Sequence, residues 1–224
     1  MQNNLIFNYI STLNKAEPYL INAIPARNTL IVVVLGSLLY AISARVQIDI
    51  PPVPVTLQTL VLFVFSMSVG WRLSTLTFLT YLFYGSIGLP FFANPPYGGF
   101  AYLAGPSGGY LFGMLLASFV VGYLAEKNYD KKYFKSLFAI FIGTFLIFFF
   151  GLLWLTYWLI IQPESTIDFL CNRENIQCTF SNWNISQSFN LALILGLFKF
   201  IITEPIKIAI AATVIPVVWK LIKK

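Results

Sequence analysis

The sequence predicts an all-α membrane protein, a six-transmembrane-helix bundle with both termini cytoplasmic. Three observations carry that expectation. The 224 residues are 58% apolar and only 10% charged, whereas a soluble domain of this size places charge on about a quarter of its residues to solvate its surface. The mean hydropathy is +0.78, and at about 20 apolar residues per crossing the apolar content supplies roughly six spans. Lys and Arg, finally, are distributed unevenly among the connections between the apolar segments.

The chain reads as a single integral membrane domain. Residues 1–28 are mixed in character, with Lys15, Glu17 and Arg27. They lack the charged start, short apolar core and small-residue cleavage site of a signal peptide, so they read as a retained cytoplasmic or interfacial lead-in. A bundle over 29–222 follows. Its apolar segments are 29–46, 56–69, 74–92, 108–124, 137–161 and a last one beginning near Phe189. The last is interrupted by Lys199, by Glu204-Pro205-Ile206-Lys207 and by Pro216. Proline lacks a helix donor and clashes with the preceding turn, so this segment is expected to be a short helix to about Lys199 and then a span from Pro205.

With the N-terminus inside, the inner segments hold Lys15, Arg27, Arg72, Lys127, Lys131, Lys132, Lys135, Lys220, Lys223 and Lys224, and the outer ones hold Arg45 and Arg173. Lys199 and Lys207 fall in or beside the final apolar segment. Cytoplasmic loops retain Lys and Arg, so ten against two favours both termini inside and an even number of spans. The formal charge of +6 is thereby read as orientation signal in a lipid bilayer rather than as a nucleic-acid surface, which would need a basic stripe on a solvated face.

The outer connections differ in chemistry. Ile50-Pro51-Pro52-Val53-Pro54-Val55 is held extended by its prolines, and the stretch from Leu89 to Gly109 is dense in glycine and proline. Neither carries Lys or Arg. Both are too apolar to hang free in water and are expected to fold back over the bundle as lids, the other reading being ordinary tight connectors. The outer loop 162–188 is polar and holds Cys171 and Cys178. On an outer face two cysteines so close can form a disulfide or stand as free thiols, and their spacing is too wide for a CxxC redox motif. Asn184-Ile185-Ser186 matches the glycosylation pattern, one short enough to arise by chance.

Candidate site residues follow from what is costly at membrane depth. Glu204 and Lys207 are ionisable groups at the start of the last span, three apart and so on one helix face. They form a mutual ion pair, a ligand site, or a pair that opens toward a ligand. In the functional reading Lys207 meets an anionic or acceptor group while Glu204 accepts from N–H donors. Gln58 opens the second span, where a buried amide needs partners. Asn94 lies in the glycine and proline loop, either as a turn residue or as an amide that recognises a polar cyclic group. Phe91, Phe92, Tyr97, Tyr102, Tyr110 and Trp183 are candidates to line a pocket, although interfacial Tyr and Trp and lipid-facing Phe are common. Ser37 and Ala41, with Gly36 and Ala44 nearby, put small residues at an interval that lets a helix approach closely, either a partner's or one of this chain.

Several chemistries are excluded. There is no His, which removes neutral-pH imidazole relays and imidazole metal sites. There is no GxxxxGK[ST] phosphate loop, GxSxG elbow or HExxH site, so neither ATP hydrolysis nor a cofactor or metal is expected. A membrane-embedded enzyme should show a second intramembrane acid or nucleophile cluster, and only Glu204 is available; a structural membrane protein is the remaining alternative.

The run Ile50-Pro51-Pro52-Val53-Pro54-Val55-Thr56-Leu57-Gln58-Thr59-Leu60 resembles the hallmark of the BioY proteins, the biotin-specific S components of energy-coupling-factor (ECF) transporters. Gly88-Leu89-Pro90-Phe91-Phe92-Ala93 and Leu103-Ala104-Gly105-Pro106-Ser107-Gly108-Gly109-Tyr110 resemble the second and third signatures, in order. The resemblance runs from about Leu30 to the C-terminus and is weakest between 133 and 188. It implies a six-helix S component in the cell membrane that binds biotin from outside. It also implies an energising module of two ATPases and a transmembrane scaffold subunit, the latter gripping the face of Ser37 and Ala41. A Pro-Gly-Asp-x-x-Lys segment opens the family's last helix; here it reads Ile202-Thr203-Glu204-Pro205-Ile206-Lys207, so Lys207 is kept and the acid is one methylene longer. By the same resemblance Asn94 is the loop amide near the bicyclic ring. Drift to another small vitamin is the alternative that the Glu204 change raises.

Overall fold

The computed structural model describes residues 26–176, 178 and 184–222. Helices dominate: α1 (Ala26–Arg45), α2 (Gln58–Val69), α3 (Trp71–Ser86), the single turn α4 (Phe100–Leu103), α5 (Gly108–Leu124), α6 (Tyr133–Ile161), α7 (Glu164–Arg173), α8 (Ile185–Gly196) and α9 (Thr203–Ile222). A helix thus occupies each of the six apolar segments. Among the described residues two are long and apolar enough to cross a membrane, Gly108–Tyr129 and Tyr133–Ile161.

The pattern along α6 shows how such a sequence packs. Phe134, Phe138, Phe141, Phe145 and Phe149 point outward and stay 46% to 80% exposed, while Ala139, Gly143, Ile147, Gly151 and Leu155 are buried. Bulk is on the outside and small residues are inside, because a helix that is apolar all round is sorted by size rather than by polarity. The α5–α6 pair is the most extensive in the fold. Gly113 lets it close: a Cβ there would lie 2.7 Å from Ile147 Cα and 2.9 Å from the Leu146 carbonyl oxygen. Helices α2 and α9 complete the central group against α5 and α6, α1 lies on α3 and α2, and α8 lies on α6.

Differences from expectation have local causes. Helix α3 ends at Ser86 rather than near Phe92, because Gly88 takes a positive φ of 101° and Pro90 follows, and this releases Phe91 and Phe92 into the loop. Helix α8 starts four residues early, at Ile185, where Asn184 accepts from the Ser186 and Gln187 N–H groups in a capping box; the glycosylation-like tripeptide is a helix cap here. A 3₁₀ turn over Phe198–Phe200 separates α8 from α9. Pro216 does not interrupt α9. The loop 162–188 is not plain coil, since α7 buries Ile167, Leu170 and Cys171, and Cys171 is disulfide-bonded to Cys178. Residues 1–25 and Trp183 lie outside the described residues.

The small-residue stripe of α1 requires a correction. Ser37 and Ala44 are fully buried, the Ser37 Oγ donates to the Val34 carbonyl, and a Cβ on Gly36 would lie 2.7 Å from both Phe65 and Thr77. The stripe packs α1 onto α2 and α3 of its own chain, so Ser37 is not available to a partner helix. Ala41 is half-buried against the same core.

At the end of the bundle where the first outer connection lies, Gln47–Ile48 (β1) and Val55–Thr56 (β2) pair antiparallel, Gln47 opposite Thr56. The glycine-rich loop is tied down by Phe92 N–H to the Tyr97 carbonyl (2.8 Å) and Gly99 N–H to the Gly85 carbonyl (2.7 Å). Val53, Val55, Phe91, Phe92 and Ala93 are buried, so both loops fold back onto the helices. The packing predicts that Gly113→Leu, which overfills the α5–α6 seam, costs about 1–3 kcal/mol. Thermal melts of the purified protein should show a clear loss for this variant and almost none for Phe141→Ala; equal melting of all three proteins would contradict the seam.

Candidate functional site

The folded-back loops roof a cleft of about 480 Å³ of free space, its open mouth included. Its walls come from four places. Val53, Pro54 and Thr56 belong to the first loop; Ala93, Tyr102 and Ser107 to the second; Tyr110 and Met114 to α5; and Phe148 and Phe200 to α6 and the 3₁₀ turn. Gln58, Thr59 and Glu204 supply the polarity deeper in.

The aromatic wall is rigid. Tyr110 donates its hydroxyl to the Gly196 carbonyl at 2.9 Å and lies nearly parallel to Phe200, 21° between planes and 6.2 Å between centroids. Phe92 is fully buried and stands behind the wall: it stacks on Tyr102 at 4.6 Å without itself lining the cleft. Burial raises the Tyr102 phenol above its ordinary pKa, against the Ser107 side chain and the Asn94 and Ala93 backbone, which favour the ionised form. It stays a neutral donor and acceptor.

Glu204 and Lys207 are 4% and 8% exposed. The Lys207 Nζ donates to Glu204 Oε1 at 2.5 Å, to the Thr56 carbonyl at 2.7 Å and to Thr59 Oγ1 at 3.3 Å. An ammonium has three N–H bonds, so none is left over. Thr59 Oγ1 in turn donates to Glu204 Oε1 at 3.3 Å. Glu204 Oε2 is buried and has no partner. Gln58 is equally buried; it faces the Tyr81 hydroxyl, yet its Nε2 makes no hydrogen bond of normal geometry. Each such unmet group costs about 1–3 kcal/mol, which a ligand with complementary atoms would recover. The lining of the cleft thus includes one carboxylate and one amide, beside the hydroxyls of Thr56, Thr59, Tyr102 and Ser107 and an aromatic and aliphatic remainder.

Asn94 takes the turn reading, its carbonyl accepting from the Tyr97 N–H at 2.7 Å. Its Oδ1 accepts from Gln47 Nε2 at 2.8 Å and its Nδ2 donates to Asp49 Oδ1 at 3.4 Å. The amide clasps the two loops together, and it is the neighbouring Ala93 that lines the cleft. Arg45 adds to the clasp by donating to the Pro90 carbonyl at 2.7 Å and stacking 4.0 Å over Tyr97. Of the site residues expected from sequence, the structure brings Gln58, Tyr102, Tyr110 and Glu204 to the cleft, with Lys207 directly behind Glu204. Sequence reasoning missed Thr56 and Thr59, which stand at the end of β2 and in the first turn of α2. It also missed Gln47 and Asp49, for which no local pattern gives a signal.

Comparison with known proteins sets this geometry in context. The biotin transporter BioY of Thermotoga maritima is 46% identical over 90 residues, covering 40% of this chain and 53% of that protein. The probable biotin transporter BioY of Pyrococcus horikoshii is 28% identical over 176 residues, covering 79% and 86%. The match thus spans about half the length of the first relative and most of the second. The crystal structure of the S-component for biotin from an ECF-type ABC transporter has the same fold, with a TM-score of 0.63, 22% identity and coverage of 86% of this chain and 91% of that one. The sequence also matches the BioY family from residue 14 to residue 224. With nearly the whole chain accounted for by one family and one fold, the protein belongs to the BioY family.

Proposed function

We propose that this protein is the substrate-binding S component of an ECF-type uptake system and that its ligand is biotin. The observation that carries the reading is the buried Glu204 carboxylate, one oxygen of which has no partner, in the lining of an aromatic cleft that also includes Gln58. Biotin's ureido group carries N–H donors and a carbonyl acceptor on one ring edge, which complements a carboxylate oxygen beside an amide N–H. Its sulfur ring is apolar and suits Tyr110 and Phe200. The three filled donors of Lys207 support a role for this residue in fixing and neutralising Glu204 rather than in meeting the ligand's carboxylate, whose place is then the cleft mouth. Phe92 supports the wall through Tyr102, and Asn94 holds the roof.

In this reading the chain is a single multi-pass domain of the cell membrane and a transporter subunit rather than an enzyme. Helices α1, α2, α3, α5, α6 and α9 are the six crossings, with residues 1–28 and the C-terminus in the cytoplasm and 162–188 outside. The positive-inside distribution of Lys and Arg supports this orientation. Energy comes from two ATPase subunits acting through a transmembrane scaffold subunit.

Labelled biotin should bind the purified protein saturably at micromolar concentration or below. Loss of a charge-assisted hydrogen bond is worth a factor of about 10–100, so Glu204→Gln should weaken binding by that much, and unchanged affinity would remove Glu204 from the site. Competition separates the vitamins. Desthiobiotin, which keeps the ureido group, should displace the label; lipoate, which keeps a sulfur ring and the same acid tail, should not, nor should riboflavin or thiamine. The reverse ranking would reassign the cleft.

A further inference from the structure

The ion pair between Lys199 and Glu174 lies outside the ligand cleft, yet it joins the outer segment to one of the cleft's walls. Lys199 Nζ and Glu174 Oε1 are 2.5 Å apart, with side chains only 13% and 23% exposed. Glu174 lies inside the loop closed by the Cys171–Cys178 disulfide, which spans seven residues. Its backbone is turned by hydrogen bonds from the Glu174 and Ile176 N–H groups to the Cys171 carbonyl, at 3.1 and 2.9 Å. Cys171 itself is buried in the main core. The carboxylate is thus presented from a small covalently closed frame whose base is anchored in the bundle.

On the other side, Lys199 is the middle residue of the 3₁₀ turn Phe198–Phe200. Phe200, next in the chain, lines the cleft and packs on Tyr110 and on Phe148, the latter at 5.4 Å. Four residues further on is Glu204. An exposed ion pair would contribute little, but a pair this withdrawn from water is costly to leave half-made. The turn is also held by Phe200 N–H and Ile201 N–H to the Leu197 and Phe198 carbonyls at 3.0 and 3.2 Å and by the Tyr110 hydroxyl on Gly196, but Lys199 supplies its side-chain tie to the outer segment.

We infer that Glu174 and Lys199 are positioning residues for the ligand: the disulfide-closed outer segment, through this ion pair, fixes the turn that sets Phe200 against the cleft and Glu204 at its inner end. The inference rests on the biotin reading given above. Since neither side chain lines the cleft, the pair acts on the pocket's shape and on how long a ligand stays. It does not act on the ligand's chemistry.

The test is biotin binding to the full chain in detergent or nanodiscs, with equilibrium affinity and dissociation rate measured well below the melting temperature. Glu174→Gln should weaken binding by about tenfold, mostly through faster dissociation, and Cys171→Ser/Cys178→Ser should shift it in the same direction. The charge-reversed pair Glu174→Lys/Lys199→Glu should recover to within about threefold of wild type. Glu164→Gln, at the exposed start of α7, should leave affinity unchanged. A folded Glu174→Gln protein with wild-type affinity and dissociation rate overturns the inference. If that variant does not fold, a folded charge-reversed protein that fails to bind overturns it instead. Absence of saturable biotin binding in the wild type would overturn the ligand reading first, and this inference with it.

Discussion

Lys207 holds the site together. A cation taken out of water into an apolar bundle costs several kcal/mol unless its N–H bonds are all met, and here they are met by three separate pieces of chain. The Thr56 carbonyl ends the first loop, Thr59 stands on the first turn of α2, and Glu204 shares α9 with the lysine. The contact joins residues 151 positions apart, drawing the end of the loop roof onto the last helix. It also leaves the carboxylate lopsided, with Oε1 occupied and Oε2 free. A single desolvated charge thereby fixes this wall of the cleft and leaves one carboxylate oxygen without a partner.

The remaining parts can be seen as what this arrangement requires. A carboxylate oxygen is a selective acceptor only where water is excluded, so the roof must be closed and apolar. Proline and glycine make the two loops compact, and Val53, Phe91 and Phe92 give them buried faces. Asn94, Gln47, Asp49 and Arg45 tie one loop to the other and to the top of α1 without entering the cleft. The helices contribute close packing more than chemistry: Gly113 and its neighbours bring α5 against α6, and Tyr110 and Phe148 then meet Phe200 across the cleft.

Much of this was legible in the sequence for identifiable reasons. Apolar runs located a helix in each of the apolar segments, two of them long and apolar enough to cross a membrane, because an apolar stretch of about 20 residues has few other uses. Glu204 and Lys207 stood out because charges at membrane depth are rare and costly, and their spacing of three fixed a common face. What the sequence left open depended on orientation or on distant partners. The small residues around Ser37 announce a close helix contact but not which helix makes it, and the partner proved to be the chain's own α2 and α3. Asn94 and Gln58 are both amides near the same end of the bundle; that Asn94 stays out of the cleft lining depends on Gln47 and Asp49 having claimed its amide. That the donors of Lys207 are all used depends on a backbone carbonyl, which no side-chain pattern reports.

The central claim is that the cleft recognises a ureido group with Glu204 Oε2 and Gln58 Nε2 while Lys207 stays bound to its own chain. The most direct measurement is an experimental structure of the protein with biotin in the cleft. The account predicts a ureido N–H on Glu204 Oε2, the ureido oxygen within hydrogen-bond distance of Gln58, and Lys207 still on Thr56, Thr59 and Glu204. Biotin seated the other way round, with Lys207 withdrawn from the Thr56 carbonyl to meet the valerate carboxylate, would contradict it.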